Sequence, residues 1–144
     1  MAHVSLNHPK LTLEGAEAIV AAAKAQAARI GVPMNIAVVD DGGHMLAFAR
    51  MDGAKPASID IAINKAVAAA IRRQNTGPAR SGDEPNLLLS LGLAIGSRAR
   101  QTPIRGGLML EVSGQCVGAI GVSAGTEDED TEVARAGVAA FVKA

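Results

Sequence analysis

Apolar residues recur at helical spacing from Leu13 to Ile30, with Ala16, Val20, Ala23 and Ala27 on the same face. Thr12 is placed to cap this helix and Glu14 sits in its first turn against the macrodipole. Gly31 and then Pro33 stop it. From Asn35 to Asp40 the pattern becomes an almost continuous apolar run, which marks a strand covered on both faces. Asp41-Gly42-Gly43 supplies turn positions, and Met45 to Arg50 reads as the returning strand of a hairpin. Ala54-Lys55-Pro56 breaks the pattern. Ser58 is then placed to cap a second helix, with Ile59, Ile63, Ala66 and Ala70 on one face and an end near Asn75.

Residues 76–86 are a polar loop and a candidate lid. Leu87 to Ile95 reads as a helix, with a strand as the alternative because periodicity cannot decide so short a run. Arg100 to Ile104 reads as a short strand. Leu108–Val112 and Gln115–Val122, joined by Ser113-Gly114, form a second hairpin. Gly118 and Gly121 inside the last strand mark a bulge or the close approach of another backbone or a ligand. Thr126 with Glu129 makes a capping box for a final helix carrying Val133, Ala134, Gly137, Val138 and Phe141. The expectation is an α+β fold with a five-stranded antiparallel sheet and helices on both faces, since one helical layer would leave a continuous apolar strand half uncovered. Residues 1–10 are expected to be a flexible N-terminal arm and residues 11–144 a single domain.

Composition narrows the chemistry. The 144 residues carry 14 basic and 14 acidic side chains, and aromatics are 1% of the chain. With no net charge and no stacking platforms, nucleic acid is not an expected partner. Small and branched aliphatics build the core, with Phe48 and Phe141 as its only large rings. A single cysteine, Cys116, fits a reducing compartment and reads as a small core hydrophobe. The N-terminus lacks the basic and apolar regions of a signal peptide, and no apolar run reaches the ~20 residues of a membrane span. The expected location is cytoplasmic.

Candidate chemistry gathers at the two ends of the first hairpin. His44, at the turn, is either an iron ligand or general base, or else a half-exposed turn histidine. Asp40 is placed to accept from the Gly42 and Gly43 amides. At the far end, Arg50 and Asp52 form a local ion pair, or Arg50 binds a carboxylate through its planar fork. Lys65 pairs with Asp52 or Asp40, reaches solvent, or meets an anionic ligand. Gly106-Gly107 is either a backbone anion nest or the turn that starts a strand. The acidic run Glu127–Asp130 is first a helix-start device. The two hairpin ends lie close to 20 Å apart at ~3.4 Å per residue, so Arg50, Asp52, Lys65, Gly106 and Gly107 make the stronger expected ligand site. Catalytic candidates are His44 and Asp52. No nucleophile elbow, zinc spacing or dinucleotide motif points to a named reaction.

The residues Val38 to Ala54, Ser58 with Ile61-Ala62 and Lys65-Ala66, Gly106-Gly107, and Val117 to Ser123 with Asp130 together resemble the GlcG/HbpS-type proteins, found also as the C-terminal domain of PduO-type cobalamin adenosyltransferases. The resemblance covers roughly residues 11–142. It implies a profilin-like fold and homo-oligomers. Members are described as binding haem or taking part in its degradation. By this resemblance the chain is expected to be an oligomeric small-molecule-binding protein, with haem as candidate cofactor and an anionic small molecule as partner. The alternative is a small catabolic enzyme doing acid–base chemistry on a carboxylate. Some haem-binding members carry a histidine on helix 1; here that helix has none. His44 is then the best available candidate for the haem iron.

Overall fold

A computed structural model describes residues 2–142; the last two residues of the expected domain, with Met1, lie outside the described residues. The elements run α1 (Leu13–Ile30), β1 (Asn35–Asp40), β2 (Met45–Arg50), α2 (Ile59–Arg72), β3 (Arg80–Ser81), β4 (Glu84–Pro85), α3 (Leu87–Gly96), β5 (Gly107–Val112), β6 (Gln115–Ser123) and α4 (Glu127–Val142). Four strands form one antiparallel sheet in the order β2-β1-β6-β5, and β3 with β4 makes a separate two-residue hairpin inside the loop of residues 76–86.

The main sheet therefore has four strands rather than the five expected from sequence. Residues 100–104 are turn and irregular backbone. α3 does not run straight into a strand: Arg98 and Ala99 both take positive φ, and Pro103 has no N–H to give to a ladder. Leu87 to Ile95 is helical, capped by the Asn86 side chain accepting from the Leu89 amide.

Register explains how both faces fill. Ile36 stands beside Val122 and Val38 beside Ile120, facing α1 and α4. Ala37 beside Gly121 and Val39 beside Ala119 face α2. α2 lies almost on the sheet backbone. A Cβ on Gly121 would strike the Ala62 carbonyl oxygen and the Ala66 nitrogen, and one on its neighbour Gly107 would strike the Lys65 carbonyl oxygen. The alanines of α2, buried at Ala62, Ala66, Ala69 and Ala70, match that shallow seat. The helix is preceded by a single 3-10 turn, Pro56–Ser58, and the Ser58 hydroxyl makes no capping bond. It ends three residues earlier than expected, where Arg73 turns left-handed at φ 56°.

The N-caps of α1 and α4 form as read: the Thr12 hydroxyl accepts from the Gly15 amide, and Thr126 and Glu129 accept from each other's amides. Gly121→Ala is expected to cost about 2–3 kcal/mol in urea unfolding, because its methyl group overpacks the α2 seat. Gly92→Ala, where a Cβ meets open space on α3, should instead stabilise by up to about 1 kcal/mol.

Candidate functional site

The hairpin turn is built around Asp40. One carboxylate oxygen accepts from the Gly42 and His44 amides, both at 2.9 Å, and the Asp40 carbonyl accepts from Gly43 at 3.0 Å. His44 is exposed, its ring lying against Gly42. The neighbouring Asp41 receives the N-terminal segment: His8 and Lys10 both reach its carboxylate at 3.0 Å. The Lys10 ammonium holds that carboxyl below the ordinary range. At the other end of the hairpin Arg50 and Asp52 are exposed, and no ion pair joins them among the described residues. Beside Arg50 in register, buried Asn35 donates to the Lys55 carbonyl, while its own side-chain oxygen has no partner. That end of the sheet offers a buried acceptor, which asks for a donor.

Lys65 meets neither Asp52 nor Asp40. It is 1% exposed, and its ammonium donates to the Asp130 carboxylate at 2.7 Å and to the Val122 carbonyl at 2.8 Å. The other Asp130 oxygen accepts from the Gly125 amide at 2.9 Å. Burial pushes the Asp130 carboxyl above its ordinary range, and Lys65 pulls against that shift. Gly106, at φ +121°, passes directly over this pair; a Cβ there would come within 2.9 Å of the Lys65 Nζ. The Gly107 amide donates to the Thr76 hydroxyl. The structure thus brings Lys65, Gly106 and Gly107 together around Asp130, with all three committed to packing, and does not join them to Arg50 or Asp52.

Two cavities flank α3 instead. One, of about 610 Å³, is lined by Arg72, Asn75, Pro78, Arg80, Leu89 and Arg105, among others, and no acidic side chain lines it among the described residues. The second, of about 350 Å³, is mostly apolar, with Leu87, Leu91, Pro103 and Ile104 in its wall. Pro78 borders both. Their walls also meet at an ion pair: Arg105, on the first, donates to Glu127, on the second, at 2.9 Å, and to Asp128 at 2.9 Å. α3 stands off from the core. Ser90 is its one buried residue, while Leu87, Leu88, Leu91 and Ile95 are all more than half exposed.

The arginines of this site were not singled out from the sequence, because the charge of the whole chain cancels. A local signal exists. Residues 72–105 hold Arg72, Arg73, Arg80, Arg98, Arg100 and Arg105 against only Asp83 and Glu84.

The family model for the haem-degrading protein HbpS-like group matches residues 11–139. An uncharacterised 15.0 kDa protein from the dhaT–dhaS intergenic region of Citrobacter freundii is 37% identical over 131 residues, 91% of this chain and 92% of that one. Protein GlcG of Escherichia coli K12 is 37% identical over 113 residues, 78% of this chain and 81% of that one. Among solved structures, Klebsiella pneumoniae ORFY superposes with a TM-score of 0.90 at 32% identity, covering 100% of this chain and 99% of that one. A PduOC:heme complex superposes with a TM-score of 0.81 at 25% identity, covering 92% and 95%.

Lys65→Met or Asp130→Leu alone should cost about 3–5 kcal/mol, since each leaves a buried charge unpaired. The double variant should recover most of that loss, a coupling read from the four urea-unfolding curves of a double-mutant cycle.

Proposed function

The chain belongs to the HbpS-like family, and from that premise we propose that it binds a haem-type ligand, a flat apolar body with carboxylate arms, in the groove beside α3. The observation that carries this reading is the apolar cavity at Leu87, Leu91 and Ile104, which adjoins an arginine-lined cavity across Pro78. Small-molecule sites combine a mostly apolar wall with a few placed polar groups, and these two cavities divide those roles. A haem-complex neighbour with the same fold supports the choice of ligand class.

The residues present suit the body and the arms of such a ligand better than its metal. No histidine, cysteine or methionine lines either cavity among the described residues. Haem iron is ordinarily held by His, Cys, Met or Tyr, and His44 remains the proposed iron ligand. It stands on an exposed turn and lines neither cavity. We therefore read haem, when bound, as held mainly by its macrocycle and carboxylates, with His44 adding little to the affinity. The exposed leucines of α3 also favour a homo-oligomer, because a contiguous apolar helix face in a monomer would be costly to leave in water.

Hemin titration followed in the Soret region tests the site. Leu91→Glu should weaken binding at least tenfold, while His44→Ala should move the Soret position more than the affinity. Loss of all binding in His44→Ala, with Leu91→Glu unchanged, would overturn the groove. Light scattering should give a mass above that of a 14.6 kDa monomer at micromolar concentration.

A further inference from the structure

We infer that the cavity lined by Arg72, Arg80 and Arg105 is a binding site for a compact, multiply charged anion, one bearing clustered carboxylate or phosphate groups. This is the cavity that the haem-type reading gives to the carboxylate arms, but the anion site rests on the arginines alone and stands or falls separately from that reading.

Three arginines line one cavity with no acidic residue in its lining among the described residues. Like charges held together destabilise a fold unless something answers them. Arg105 is answered by Glu127 and Asp128. Arg72 and Arg80 make no ion pair among the described residues. Arg80 donates instead to the Asp83 carbonyl, which sets its position at the small β3–β4 hairpin.

The structural rival is that Arg72 serves the negative C-terminal end of α2. That end is already served by Arg73, whose guanidinium donates to the Ala70 carbonyl at 3.0 Å. A helix-end role for Arg72 also leaves Arg80, in the same cavity, without a carboxylate partner among the described residues.

A neutral donor completes the site. The Asn75 side-chain oxygen is taken by the Met109 amide at 3.0 Å, so its NH2 group is the part left to face the cavity. Planar forks and an amide donor match oxygens arranged in pairs, as in a dicarboxylate or a diphosphate. The volume, about 610 Å³, admits either. Full-length protein is titrated calorimetrically with inorganic pyrophosphate and, separately, with citrate, at two salt concentrations. At least one of the two should bind, more weakly at high salt. Arg72→Gln and Arg80→Gln should each lose at least tenfold in affinity, with Arg135→Gln, an exposed position on α4, unchanged. The tighter of the two anions identifies the group, phosphate or carboxylate. No binding of either anion to the wild type, or an equal loss in Arg135→Gln, would overturn the inference. A hemin competition separates the two readings. Displacement of the bound anion means the haem carboxylates use this cavity. Binding of both together leaves the anion site standing and moves the haem elsewhere.

Discussion

The buried ion pair between Lys65 and Asp130 ties the molecule together. α2 lies on one face of the sheet and α4 on the other, and this pair joins them where β5 begins and β6 ends. Removing two charges from water costs several kcal/mol per ion, so the pair persists only with good geometry and additional bonds. The Val122 carbonyl and the Gly125 amide supply those bonds. Gly106 has to be glycine for the same reason: it crosses the pair at a positive φ, with no room for a side chain.

The site and the core are made from opposite materials. The sheet and the inward faces of α1, α2 and α4 bury alanine, valine and isoleucine, many of them completely. The stretch from Arg73 to Arg105 buries Ala79, Ser90 and Thr102 and leaves its leucines and arginines outward. Binding loops on a rigid frame are the usual division of labour in small domains. Here the frame ends at Arg72 in the last turn of α2, and the stretch that lines the two cavities beside α3 starts there.

What the sequence made legible was local. The α1 bounds, the first hairpin and the Thr126–Glu129 box each depend on neighbours a few residues apart, and each formed where it was read. The close approach at Gly121 was also readable, because glycine in a strand needs a reason. The fifth strand failed because strand pairing is settled by context, and Pro103 with the left-handed Arg98 and Ala99 denied it one. The Lys65 partner lies 65 positions away in sequence, beyond any periodicity. The arginine cavity was hidden differently: its charges were visible, but a neutral total concealed how unevenly they are distributed along the chain.

The glycine seat under α2 has a mechanical consequence. Backbone pressed on backbone leaves no compliant side chains at that interface, so the helix can neither slide nor roll without breaking several contacts at once. Thermal openings should then divide sharply. Amides of α2 and β6 would exchange with solvent only through global unfolding, and those of α3 through cheap local events. A ligand in the groove would find one wall already fixed and would pay ordering entropy only on the other.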